Sequence, residues 1–288
     1  MRVGVDSYSY HRYFGEIRPG ESDPGVRWST WDVLDRAAEL GVDGVSLETC
    51  FLPVGDPGLE ADLGRRVHEL GLDCVLAWGH PTGLEMGNSP TAFADLLAII
   101  AMAGRMSVPL VRLVVGVTVH WQAEPEDRVV ERVAPLLQHA CDMAAGHGVD
   151  LAIETHCDLS VTSSLALIDH VDREGLGIVF DTVNVVRIGE PLEAAAARCA
   201  PFVRMLHVKD VRLRDADRAD PGGWWPMAPL GEGDLDLGTV LNTMISAGFD
   251  GLACVEMATL PAGADEDDMV AAGVSWLRAF DKETAWRR

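Results

Sequence analysis

Four polar residues stand where apolar segments end in the second half of the chain. They are Glu154 in "VDLAIET", Asp181 in "LGIVFDT", His207 in "VRMLHVK" and Glu256 in "GLACVEM". Three carboxylates brought together repel one another and resist full ionisation unless a cation sits among them. Three oxygen donors and one imidazole suit a hard or borderline divalent ion better than a thiolate-seeking one. That donor set points to one manganese ion first, with magnesium or cobalt as alternatives. Taken singly, each residue has an ordinary explanation, since a Glu at a strand end is commonly solvated and a buried His is commonly a satisfied core residue. Compatible residues at corresponding places in consecutive segments favour a shared site.

Convergence depends on the elements that carry these residues. Strands are expected near residues 2–7, 43–48, 72–78 and 110–116, then near 149–155, 176–182, 203–209 and 251–257. Their near-continuous runs of Val, Ile and Leu fit parallel strands buried on both faces. Helical periodicity fills the intervals at 29–41, 58–71, 90–104, 125–148, 162–172, 190–199, 237–248 and 266–280. Gly41, Gly71, Gly148 and Gly248 close several of these segments, as C-terminal caps do. Eight strand-helix units in 288 residues predict an α/β fold, a (β/α)8 TIM barrel in one domain over residues 1–288. A doubly wound open sheet is the competitor, and no GxGxxG follows the first strand to support it. Two connections, 8–28 and 213–234, are longer than a barrel needs. Both follow strands, on the face where barrel enzymes carry their sites, and both read as binding loops or lids.

Composition narrows the partners. The formal charge of −22 excludes a general attraction to nucleic acid and disfavours anionic membrane surfaces. No apolar run approaches the roughly 18 residues of a membrane span, and "MRVGVDSYSY" turns polar too early for a secretory signal. Six scattered cysteines without a CxxC pair read as reduced thiols in a cytoplasmic protein.

The segments "IETHCDLS" (153–160), "VFDTVN" (179–184), "LHVKD" (206–210), "PLGEGDLD" (229–236) and "CVEM" (254–257) resemble the xylose isomerase-like barrels. This sugar phosphate isomerase/epimerase superfamily includes ketose 3-epimerases, inosose dehydratases, hydroxypyruvate isomerases and endonuclease IV. The likeness spans essentially the whole chain. It implies a single divalent metal held by Glu154, Asp181, His207 and Glu256. The epimerase branch further implies that Glu154 and Glu256 exchange a proton with opposite faces of the substrate carbon. A metal chelating a carbonyl and its neighbouring hydroxyl would stabilise the enediolate formed on the way.

The chain departs from the epimerase pattern at three places. Asn184 stands where a His is common, Leu213 between Arg212 and Arg214 where an Arg is common, and Ser160 where a Glu is common. The Lys209–Asp210 pair resembles the "HxKD" of the dehydratase and lyase branches. The endonuclease branch adds an Asp-x-His before "LGEG", where this chain has "WWPMAP".

Supporting residues follow from position. Of the 23 basic residues only Lys209 and Lys282 are lysines. Lys209 lies two residues after His207 and so points to the same side of a strand. It either stays charged and holds a substrate oxygen, or serves as a neutral base, or forms a structural ion pair with Asp210 or another barrel acid. His156 bears the same relation to Glu154, as an acid or base or as a group orienting the glutamate. His11, His80, Asn184, Arg212, Trp224 and Trp225 are the expected substrate contacts. The Trp pair either covers substrate or is buried between copies of the chain in a homo-oligomer.

The leading expectation is an isomerase or epimerase acting on a ketose or keto-polyol. The alternative is a metal-dependent lyase, either an inosose-type dehydratase or an enzyme eliminating the aglycone of a 3-oxo-glycoside. A barrel that binds sugar without catalysis, or a subunit active only in a complex, stands further off.

Overall fold

The apolar segments form eight parallel strands: Arg2–Asp6, Gly44–Glu48, Asp73–Ala77, Leu110–Leu113, Asp150–Glu154, Leu176–Asp181, Val203–Val208 and Leu252–Val255. They close into a barrel in which the first strand pairs with both the second and the last. This computed structural model describes residues 1–18, 20–213, 225–261 and 263–285. Each expected strand is present, and most end a residue or two earlier than the apolar run. In the fourth segment, for example, Val114 and Val115 leave the ladder and accept backbone bonds from Leu84 and Met86.

The outer helices start and stop on local signals. Helix Thr30–Glu39 opens with a reciprocal capping box between Ser29 and Asp32. Gly41 and Gly71 follow the first two helices at φ 65°, a left-handed turn that only glycine takes without strain. One of the α-helices was not expected. The sixth strand passes directly into a short helix, Thr182–Arg187, because Asp181 both ends the strand and caps the helix.

Inside the barrel, alternation of side chains builds layers. Val75, Leu110, Ala152, Val179, Met205, Leu252 and Cys254 form an apolar cluster apart from the main core. Two residues further along their strands stand Ala77, Arg112, Glu154, Asp181, His207 and Glu256. A polar layer therefore rests on an apolar one, at the carboxyl ends of the strands. Gly4 fits this interior because Cys254 fills its space: a Cβ there would lie 2.7 Å from Cys254 Sγ.

The long connection after the first strand is pinned by aromatic packing. The rings of Tyr10 and Tyr13 each lie 4.7 Å from Trp28, and Phe14 stacks on Phe51 at 4.2 Å. The connection after the seventh strand falls largely outside the described residues, and so does Trp224. Its described flanks pair as two short antiparallel strands, Asp210–Val211 and Met227–Ala228. Asp210 is fully buried and accepts the backbone N–H groups of Val211, Gly231, Gly233 and Leu235.

Candidate metal centre

The ends of strands five to eight place Glu154, Asp181, His207 and Glu256 so that one donor atom from each lies within 4.8 Å of all the others. His207 Nδ1 faces the carboxylates, at 2.7 Å from Glu256, 3.6 Å from Glu154 and 3.8 Å from Asp181. Its Nε2 faces the buried Asp6 at 3.2 Å. Asp181 spends Oδ1 on the helix cap, accepting from the N–H groups of Val183 and Asn184, and leaves Oδ2 to the cluster.

The residues fit a divalent cation. Glu154 Oε2, Asp181 Oδ2, Glu256 Oε2 and His207 Nδ1 are buried without a well-formed hydrogen bond, an expensive arrangement for polar atoms. These atoms belong to the four residues that converge, and carboxylate oxygens with an imidazole nitrogen are the donors such an ion takes.

Charges balance locally. Burial opposes ionisation of Glu154, yet Arg112 and His207 hold it well below the usual carboxylate range. For Glu256 burial is likewise outweighed, by His207 and Lys209. Burial works against the charge on His207, and Glu256 and Glu154 raise its pKa nonetheless. A metal ion there takes the neutral ring and displaces that proton. Burial also opposes the Lys209 ammonium, and Asp181 and Glu256 overrule it. Its Nζ lies 2.7 Å from Asp181 and 2.9 Å from Glu256. These contacts favour the charged role for Lys209 over a neutral base, and its ion pairs go to the cluster and not to Asp210.

Above the cluster opens a cavity of about 720 Å³. Its walls include Tyr8, Trp78, His80, His156, Asn184 and Lys209 together with Glu154 and Glu256. Asn184 is buried and donates to Glu154 Oε1 at 3.1 Å. His80 stacks on Trp78 at 5.2 Å. His156 is half-buried, with Nδ1 lacking a well-formed hydrogen bond.

Three expected substrate contacts lie elsewhere. His11 is fully buried outside the cavity wall, with one ring nitrogen on the Tyr8 carbonyl and the other on Glu21. Arg212 is exposed and does not line the cavity. Trp225 packs into the main hydrophobic core. Ser160, standing where the epimerases carry Glu, caps the helix Val161–Val171.

A set of buried ionisable side chains from the early strands was not expected from the sequence: Asp6, Glu48 and Arg112. Arg112 pairs with Glu48 and lies 3.0 Å from Glu154 Oε2. The signal was available, because an arginine inside "LVRLVVG" contradicts a wholly apolar strand and demands a partner.

Residues 34–280 match the xylose isomerase-like TIM barrel family. The inosose isomerase of Bacillus licheniformis is 28% identical over 133 residues, which are 42% of this chain and 45% of that protein. The inosose dehydratase of Lacticaseibacillus casei is 25% identical over 146 residues, 47% of this chain and 49% of that protein. The match thus spans about half the length of these curated relatives. A solved structure of the IOLI protein with a bound zinc atom shares the fold at a TM-score of 0.73 and 17% identity, over 97% of this chain and 98% of that one. Among the described residues no helix is long and apolar enough to cross a membrane. Closed parallel barrel and family match agree: the chain belongs to the xylose isomerase-like TIM barrel family.

Proposed function

We propose that the chain is a divalent-metal-dependent isomerase or epimerase acting on a ketose or keto-polyol. The observation that carries this reading is the four-residue donor cluster at the floor of a cavity of about 720 Å³, a volume suited to a small ligand. A bound cation, manganese first and magnesium, cobalt or zinc as alternatives, would supply Lewis acidity toward a substrate carbonyl and its neighbouring hydroxyl.

The chain's own residues do the rest. Glu154 and Glu256 arrive from the fifth and eighth strands, both line the cavity, and both are held ionised. One carboxylate takes the proton from the carbon beside the substrate carbonyl. The other takes a proton from solvent water and delivers it to that carbon or its neighbour, and the first releases its proton to solvent at the end of the cycle. The Lys209 ammonium donates to a substrate oxygen, and Asn184 keeps Glu154 in place. Trp78 and His80 offer an aromatic wall to an apolar sugar face.

A lyase is the second reading. It is favoured by Lys209 and His156, which both line the cavity, since a departing β-substituent needs a proton donor. Proton loss from carbon and departure of a protonated hydroxyl then release water.

Glu154→Gln and Glu256→Gln, each assayed with added manganese on ketoses, inososes and 3-oxo-glycosides, test the scheme. Each substitution is expected to lower turnover by about 10²–10⁴-fold. Full activity in either variant, or activity in a preparation stripped of divalent ions, overturns it. Uptake of solvent deuterium without loss of mass marks isomerisation or epimerisation. Release of water or an aglycone marks the lyase.

A further inference from the structure

Barrel interiors are ordinarily filled by apolar branched side chains. Here a fully charged arginine stands in the fourth strand with 7% exposure, among carboxylates that are buried as deeply. Taking the Arg112 and Glu154 charges from water is costly, and burial pushes the Glu48 carboxyl up to about 8 in spite of Arg112. Apolar residues of similar size commonly serve stability as well or better. The arrangement calls for a purpose besides stability.

The sequence clears a place for it. By register, Glu48 lies beside Ala77, Ala77 beside Arg112, and Arg112 beside Ala152. The two alanines flank the arginine and leave room for its guanidinium. Gly79 does the same for Glu48, because a Cβ there would lie 2.6 Å from Glu48 Oε2. The guanidinium is held from three directions. Nη2 donates to Glu48, Nη1 reaches the Trp78 carbonyl at 3.5 Å, and Nε lies 3.0 Å from Glu154 Oε2. Glu154 in turn receives Asn184 on Oε1. Its carboxylate accepts a hydrogen bond on Oε1 from the helix after the sixth strand, and its Oε2 meets the guanidinium of the fourth strand as an ion pair without a well-formed hydrogen bond.

We propose that Arg112, anchored by Glu48, is a positioning residue that fixes the direction in which the Glu154 carboxylate faces the donor cluster. Glu48 belongs to the device although it is remote from Glu154 in sequence and on a different strand. The proposal rests on the metal reading for its consequence, but the orientation of Glu154 is a property of the protein alone.

The test uses the whole chain and three variants, Arg112→Met, Arg112→Lys and Glu48→Gln. Glu48→Gln is nearly isosteric and keeps the inference testable if Arg112→Met fails to fold. Calorimetric titration with manganese chloride and zinc chloride is expected to show binding weakened by about 10–100-fold for Arg112→Met, the range for a lost partner of a metal ligand. Arg112→Lys keeps the charge but not the fork and is expected to recover part of the loss. Glu48→Gln is expected to fall between Arg112→Lys and the native chain. Crystal structures of the metal-free native chain and of Glu48→Gln supply the second readout, with the Glu154 carboxylate rotated or split between two conformers in the variant. Native binding with unchanged affinity in the folded variants and an unmoved Glu154 overturns the proposal. Absence of binding by the native chain overturns the metal reading instead, and the crystallographic comparison still decides the role of Arg112.

Discussion

The two halves of the barrel contribute differently to one site. Strands five to eight supply the groups that converge: Glu154, Asp181, His207 and Glu256. Strands one, two and four supply buried ionisable groups that contact them, with Asp6 on the far nitrogen of His207 and Arg112, itself paired with Glu48, on Glu154. Glu48 and Arg112 line the cavity beside Glu154 and Glu256, and Asp6 differs from the donors in what it faces. The donors line or underlie the cavity, whereas Asp6 sees only the back of a donor. A cluster of like charges can be buried only when such counter-groups fix it, because isolated buried charges neutralise or repel. The early half of the barrel braces Glu154 and His207, and Lys209 of the late half counters Asp181 and Glu256.

Removing a donor should have the largest effect. Asp181→Asn keeps a side chain able to cap helix Thr182–Arg187 but deletes the charge facing Lys209 at 2.7 Å. Loss of one partner from a buried ion pair costs about 3–5 kcal/mol, so denaturant unfolding of metal-free protein should show destabilisation in that range. Manganese binding should fall further than in any variant of the early strands. If the Asp181→Asn variant proves as stable as the native chain, Glu256 alone satisfies Lys209.

A brace should matter less. Asp6→Asn leaves the bond from the Tyr8 N–H to Oδ1 in place and weakens only the contact with His207 Nε2. Carboxylate partners of metal-binding histidines are worth about 10–100-fold in affinity. A chelator-competition titration with manganese should give a loss in that range. Equal losses for Asp6→Asn and Asp181→Asn would erase the distinction between braces and donors.

The same division explains what could be read from the sequence. Each donor stands within one residue of the end of an apolar strand, and the pattern repeats with the strand-helix period, so a local rule applied four times finds the cluster. The braces obey no such rule. Arg112 and Glu48 are 64 residues apart, and only the pairing of the second, third and fourth strands makes them neighbours. Arg112 could have been flagged as a charge inside a buried strand, though not assigned a partner. His11 and Trp225 failed in the opposite way. Both sit where a substrate contact is plausible, and side-chain packing sends them elsewhere: His11 to Glu21, Trp225 to the core. The short helix after Asp181 was missed because its start is set by a residue also read as a strand end.

An exposed counterpart sharpens the claim that burial gives the braces their weight. Asp43, just before the second strand, accepts from the Val3 N–H and pairs with Arg278 at 2.8 Å, with both side chains about one third exposed. Like Glu48–Arg112 it pairs a carboxyl with an arginine, here at the barrel surface. Arg278→Ala should cost only about 0.2–1 kcal/mol in unfolding free energy. The pH dependence follows from the sign of the shift. Burial works against ionisation of Asp43, but Arg278 and the Val3 amide hold its pKa below the usual value, which in an unfolded chain is about 3.9. A depressed carboxylate stabilises the fold above that value, and the contribution is lost as pH falls through the lower folded pKa. The stability gap between the native chain and the Arg278→Ala variant should therefore be full above about pH 4 and close on further acidification. Unfolding curves at a series of pH values would show it. A gap above about 2 kcal/mol, or one that persists to the lowest pH, would mean that an exposed pair can do what the buried one does, and burial would no longer separate brace from ornament.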